Sequence, residues 1–311
     1  MIVRWGLGEL PGLRAELGIE RPLLVAGTRW SAAPIDAAER WTEVPSSRIE
    51  EAAALAGDGV VALGGGSAVD LGKAISAAAG VPLVSIPTTY AGAEWTTFFG
   101  VRDPDRRMRG GGAGANLAGI VYDVALTLEL PRGPTVGTAM NALAHCAEAL
   151  YVVGHNEAAD EHALAGARLV GEWLPRVVET PLDVEARTEL LRGACHAGAA
   201  LGGSGLALAH AMAQAIGGRY GLPHGALNAI CLPAALSFNG EFVPGSLLRG
   251  EASKRAAELA RLAGFDGLSG LGVPPGDFDD LAAAIVQRPG AKANPRPVAP
   301  DDVVALLREI A

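Results

Sequence analysis

The run Val60-Val61-Ala62-Leu63-Gly64-Gly65-Gly66-Ser67, followed by the amphipathic stretch Ala68 to Ala79, constrains the fold of this chain more than any other segment. Four consecutive apolar residues suit a strand buried on both faces, and three glycines permit a sharp turn. Strand, glycine turn and helix form the front half of a parallel crossover unit. Such a turn also lets backbone N–H groups approach a pyrophosphate, whose charge the helix N-terminus favours. A plain structural turn would use the same glycines, so the reading needs support from the rest of the chain.

That support comes from Pro22 to Ala26, Pro82 to Ile86 and Gly119 to Tyr122, further short apolar runs bounded by Gly, Pro or polar turns. Together with Gly59 to Leu63 they predict a parallel sheet with crossover helices. Beyond Pro131 strand-like runs vanish. Ala- and Leu-rich segments predict helices over 135–153, 158–178, 184–201 and 206–217, with Gly217-Gly218 closing the last and Pro223-His224-Gly225 at the next helix start. The expectation is an α/β domain over 1–131, an all-helical domain over 132–311, a hinge at Arg132-Gly133-Pro134, and a ligand cleft where the two meet.

Residues four apart share one face of a helix, so Asn141 can meet His145, and His210 can meet Gln214. Together with His224, these imidazoles suit either a divalent metal or a substrate carboxylate and the carbonyl oxygen of a reacting group. His155, His162 and His196 are expected to be satisfied core residues. In the glycine-turn helix, Asp70 complements the helix dipole and Lys73 reaches toward phosphate or a nearby carboxylate. Pro87-Thr88-Thr89 sets hydroxyls at the carboxyl end of the next strand, where open parallel sheets bind ligands; a threonine-rich turn explains the segment equally well when it is taken alone.

The formal net charge of −9 and the scattered basic residues exclude nucleic acid as an expected partner. Arg102, Arg106, Arg107 and Arg109 form either a solvated loop or a face for an anion. Cys146, Cys195 and Cys231 are expected to be buried small hydrophobes rather than disulfide or zinc residues. With no apolar run of spanning or signal-peptide length, the chain is expected to be soluble and cytoplasmic, without a membrane partner.

The order Gly64-Gly65-Gly66-Ser67, Asp70, Lys73, Pro87-Thr88-Thr89, Asn141-Ala-Leu-Ala-His145, His210 and Pro223-His224 resembles the iron-containing (group III) alcohol dehydrogenases. Within that family the stretches PTTYAGAE (87–94), MNALAHCAEALY (140–151) and NPRP (294–297) are most similar to the maleylacetate reductases. The resemblance implies a dehydroquinate synthase-like fold, an NAD(P)H cofactor held by Gly64, Gly65, Gly66, Ser67, Asp70, Lys73, Thr88 and Thr89, and a homodimer. It implies a catalytic and metal set of Asn141, His145, His210 and His224, for Fe²⁺ or Zn²⁺.

Asn141 replaces the family's Asp, as in the maleylacetate reductases, and its uncharged amide holds a metal weakly or not at all. Gln214 stands where relatives commonly have His, so a proton relay through it is not implied. The segment from Arg106 to Leu117 is richer in glycine than usual, and that between Arg29 and Arg40 is shorter. The expected function is NAD(P)H-dependent hydride transfer to a small oxo-acid substrate, as in a maleylacetate reductase. The alternatives are a metal-dependent alcohol or aldehyde dehydrogenase, and a diverged member with a non-redox biosynthetic role.

Overall fold

The computed structural model describes residues 1–311, and the chain divides into two compact units. Met1–Thr89 with Ala93–Leu128 makes the first; Tyr90–Gly92 with Glu129–Ala311 makes the second. The three-residue excursion at 90–92 is not visible in the sequence pattern, which places everything before residue 131 in one domain.

The first unit is built on a six-stranded, wholly parallel sheet in the order β1-β8-β5-β4-β2-β3. Its strands are β1 (Ile2–Trp5), β2 (Leu23–Ala26), β3 (Glu39–Trp41), β4 (Val60–Gly64), β5 (Pro82–Pro87) and β8 (Asn116–Tyr122). The four central strands are those expected from their apolar runs. The two edges, β1 and β3, were not expected, because an edge strand carries fewer buried residues and so a weaker apolar signal. Side chains alternate between the two faces. Leu24, Ala26, Val61, Leu63, Val84 and Ile86 pack with helix α1 (Leu10–Leu17) on one side. Leu23, Val25, Val60, Ala62 and Leu83 pack with α2 (Ile49–Ala53) and α3 (Gly66–Ala79) on the other. A β-carbon at Gly72 of α3 would stand 2.6 Å from that of Ala62, so this glycine lets the helix lie directly on the sheet.

Residues 99–112 form an antiparallel hairpin of β6 (Phe99–Arg102) and β7 (Met108–Gly112). Arg109 pairs with Asp103, and the guanidinium of Arg102 donates to the Arg106 carbonyl. Of the two readings offered by these arginines, the structure shows a surface hairpin braced by its own residues.

The second unit is helical: α4 (Arg132–Ala149), α5 (Glu157–Glu179), α6 (Val184–Gly203), α7 (Leu208–Tyr220), α8 (His224–Asn239), α9 (Ala252–Arg261), α10 (Phe278–Val286), α11 (Pro289–Lys292) and α12 (Pro300–Glu309). The proposed hinge residues 132–134 are instead the first turn of α4. Helix α7 runs through Gly217-Gly218 and ends at Gly221, whose φ of 69° makes it the left-handed cap. No single helix is long and apolar enough to cross a membrane.

Candidate active site

Three loops share the carboxyl edge of the parallel sheet in the first unit. The register pairs Ala26 with Leu63 and Gly64 with Pro87, so the segments after β2, β4 and β5 emerge side by side. Gly64 adopts a φ of 151°, and Gly65 lies so near Thr89 that a β-carbon there would meet its methyl at 3.0 Å. The Thr88 N–H donates to the Gly64 carbonyl at 3.0 Å, which ties the threonine segment to the glycine turn. Helix α3 then begins with Gly65 at its N-cap, no side-chain cap and no acidic residue in its first turn, while Gly65, Gly66 and Ser67 are half-buried. A helix start arranged this way offers its N–H groups to an anion.

Of the two readings offered for Lys73, phosphate or a nearby carboxylate, the structure shows the carboxylate, that of Asp70. Lys73 is 1% exposed, and its ammonium donates to the carbonyls of Ala93 and Phe98, both at 2.7 Å, and pairs with Asp70 at 2.9 Å. Three donors are thus committed, leaving none for a phosphate. Asp70 lies in the second turn of α3 rather than the first, and its other oxygen accepts from Gly100 N–H at 3.4 Å. Together the pair anchors the 93–100 segment. The i,i+3 spacing shows the pairing, but only the fold shows what it holds.

In the second unit Asn141, His145, His210 and His224 come together. Their rings form a short stack: the centroids of His145 and His210 are 4.7 Å apart at 12°, and those of His210 and His224 are 5.6 Å apart at 50°. Two close backbone approaches set this geometry. A β-carbon on Gly225 would fall 2.6 Å from the Gly137 carbonyl carbon, so α4 and α8 touch there and bring Asn141, one turn on, to the first turns of α8. Gly92, at φ 74°, lies against His145, and a β-carbon there would sit 3.3 Å from its Nδ1.

Two residues missed in the sequence complete the cluster. Glu148, fully buried, accepts from His210 Nδ1 at 2.7 Å, from Ala207 N–H at 2.8 Å and from His210 N–H at 3.2 Å. The carboxylate therefore orients the ring and caps the N-terminus of α7, where negative charge is favoured. Asn228, one turn after His224, uses Nδ2 to donate to Asn141 Oδ1 at 2.6 Å and to His224 Nε2 at 3.0 Å. The i+3 spacing of Glu148 from His145 and the i+4 spacing of Asn228 from His224 were the available signals.

These bonds fix the proton positions. Asn141 Nδ2 donates to the Ala91 carbonyl at 2.8 Å and faces His145 Nε2 at 3.4 Å, which leaves the His145 proton on Nδ1, buried and without a partner. Burial, then the neighbouring His210 and His224 rings, hold His145 well below the usual 6.5, so it is uncharged at neutral pH. His210 Nε2 stands 3.3 Å from Asn141 Oδ1. With Nδ1 already donating to Glu148, that contact is a hydrogen bond only when the ring carries both protons. His224 is the half-buried member, at the first residue of α8. The cluster can therefore offer hydrogen-bond donors and a proton to an oxygen that gains negative charge.

The same geometry does not fit a divalent metal. The Asn228 amide already engages Asn141 Oδ1 and His224 Nε2, two of the four expected ligand atoms, and the Asn141 amide oxygen lacks the charge that a carboxylate would bring to an ion. No group of three His, Cys, Asp or Glu side chains is arranged to hold an ion. Asn141, His145, His210 and His224 thus form a hydrogen-bonded cluster rather than a coordination site.

The remaining candidates lie outside it. His155 is exposed and paired with Asp160, while His162 and His196 meet at 2.9 Å on the outer faces of α5 and α6; none is a core residue, because each sits on the polar side of its segment. Cys146 and Cys231 are buried, with burial raising both thiols, whereas Cys195 is half-buried.

Comparison with known proteins places these features in a family setting. Residues 6–117 match the model described as iron-containing alcohol dehydrogenase, and residues 135–311 match that of the Fe-containing alcohol dehydrogenase family, C-terminal. The maleylacetate reductase of Burkholderia cepacia is 37% identical over 265 residues, which span 83% of this chain and 75% of that protein. The crystal structure of maleylacetate reductase from Rhizobium sp. strain MTP-10005 superposes with a TM-score of 0.87 at 32% identity, covering 99% of this chain and 95% of that one. The sulfoacetaldehyde reductase of Bifidobacterium kashiwanohense, crystallised in complex with NAD+, shares the fold with a TM-score of 0.89 at 20% identity, covering 100% of this chain and 97% of that one.

Proposed function

The chain belongs to the iron-containing alcohol dehydrogenase family, and from its membership as an oxidoreductase of that family we propose that it is an NAD(P)H-dependent reductase of the maleylacetate reductase type. Its substrate is a small oxo-acid, reduced at the carbonyl or at a carbon–carbon double bond conjugated to it. The observation that carries this reading is the metal-unsuited cluster of Asn141, His145, His210 and His224, bound together by Glu148 and Asn228.

When bound, the nicotinamide supplies the hydride; the protein supplies position, charge and a proton. Gly64, Gly65, Gly66 and Ser67 hold the dinucleotide through backbone N–H groups at the start of α3, with Thr88 and Thr89 beside them on the same sheet edge. The residues after β2 are Gly27-Thr28-Arg29, without an acid to grip a ribose 2′-hydroxyl, so NADPH is accepted as well as NADH.

Hydride addition to a carbonyl carbon, or to the far carbon of a conjugated double bond, moves an electron pair onto the carbonyl oxygen in both cases. The imidazole cluster meets that charge. His145 contributes an uncharged ring packed against Gly92, His224 sits half-buried at the positive end of α8, and His210, held by Glu148, carries the proton that completes the reduction. Such a site works without a metal, because hydrogen-bond donors placed at a developing oxyanion supply the stabilisation that a Lewis acid would otherwise provide.

The test is to follow nicotinamide absorbance while the protein is offered unsaturated and saturated oxo-acids, simple aldehydes and alcohols. Oxidation of NAD(P)H with oxo-acids in the presence of a chelator is expected. Activity confined to alcohols and aldehydes and abolished by the chelator would overturn the reading.

A further inference from the structure

One arginine of the second unit lacks the partners that its neighbours have. Buried Arg187 donates to carbonyls and hydroxyls, and Arg219 pairs with Asp277 and Asp280. Arg288, half-buried at the start of α11, forms no ion pair. Its Nη1 reaches only Gln214 Oε1, at 3.5 Å, and its Nε is buried without any acceptor. Burial alone acts on its charge, lowering its proton affinity, and no carboxylate offsets that.

Its buried Nε lacks an acceptor that a bound anion would supply. Its partner is informative. Gln214 lies on α7 one turn beyond His210, about 6 Å along the helix axis, and its side-chain oxygen is the one the guanidinium reaches. That is a span a short dicarboxylic acid can bridge, with its carbonyl at the imidazoles and a carboxylate beyond. A planar fork of donors is also the group best matched to a carboxylate.

We propose that Arg288, steadied by Gln214, is the receptor for a substrate carboxylate and makes the enzyme selective for oxo-acids carrying a second acid group. This assignment rests on the reductase reading for its chemistry, but its binding step needs no turnover. It also gives Gln214 a role: a neutral amide can support the guanidinium without occupying its charge.

The experiment measures calorimetric binding of succinate, a dianion that cannot be reduced, and of its uncharged dimethyl ester, to the full chain with NADP+ present. The wild type is expected to bind succinate at least about tenfold more tightly than the ester. Arg288→Gln should erase that preference, Arg288→Lys should keep only part of it, and Arg168→Gln, on the far surface of α5, should keep it whole. Gln214→Glu supplies a counter-ion and should erase the preference while Arg288 remains, which covers the case in which Arg288→Gln does not fold. Equal binding of diacid and ester by the wild type, or a preference that survives Arg288→Gln and Gln214→Glu, would overturn the proposal. The reductase reading fails on a different result, the absence of NAD(P)H oxidation with every oxo-acid.

Discussion

Glu148 accepts the Nδ1 hydrogen of His210 at 2.7 Å from a position with no exposure to solvent, and the same carboxylate takes the N–H of Ala207. One buried group therefore sets the tautomer of a ring and closes the helix that carries it. Glu148→Gln retains the volume but turns a donor toward donors. We expect kcat to fall on the order of a hundredfold and stability to drop by about 3 kcal/mol, read from steady-state kinetics and urea denaturation. A variant with wild-type kcat would remove His210 from the mechanism.

The uncharged state of His145 makes stability depend on pH in a defined direction. Its folded value lies well below the usual 6.5, so between those limits the unfolded chain binds a proton that the folded chain does not. Stability is then greatest above pH 6.5 and declines as pH falls through that window, by up to about 1.4 kcal/mol per pH unit. Denaturant titrations between pH 7.5 and about pH 5 should show a shallower decline for His145→Gln than for the wild type. Parallel declines would mean that the ring titrates normally.

The contact between Gly137 and Gly225 sets the separation of α4 and α8. Backbone atoms cannot move aside as a side chain can, so Gly225→Ala must push the helices apart and stretch the 2.6 Å bond from Asn228 to Asn141. We expect a loss of about 1 to 3 kcal/mol, accompanied by reduced kcat. Unchanged denaturation midpoints would show that the helices accommodate the methyl group.

The place of Asn228 also makes a statement about metals. The wild type should purify without stoichiometric iron or zinc and keep its activity in a chelator. Asn228→Asp puts a carboxylate against Asn141 Oδ1 and His224 Nε2 and should draw a divalent ion into the cluster. Elemental analysis of the two proteins decides the matter. One equivalent of metal in the wild type would contradict the hydrogen-bonded reading.

Periodicity made the central strands legible, because strands buried on both faces are apolar throughout. It made α4 to α8 legible because their small, apolar residues continue for many turns. The edge strands Ile2–Trp5 and Glu39–Trp41 were not legible, since half-buried strands dilute the same signal. The assembly of Asn141 with three histidines could be read from spacing joined to family resemblance. Glu148 and Asn228 could not, because their importance comes from which helices meet rather than from their own neighbours. Lys73 shows the converse: a lysine beside a glycine turn suggests phosphate or a nearby carboxylate, yet two carbonyls of a segment twenty residues further on and Asp70 on its own helix engage its three protons.

Transfer of deuterium from NAD(P)H labelled at the nicotinamide C4 to an unsaturated oxo-dicarboxylic acid tests the central claim most directly. Mass spectrometry of the product should find one deuterium per molecule, at the carbon conjugated to or bearing the carbonyl, with the rate of appearance sharply reduced in Glu148→Gln. Tight dinucleotide binding with no deuterium in any product would contradict the account.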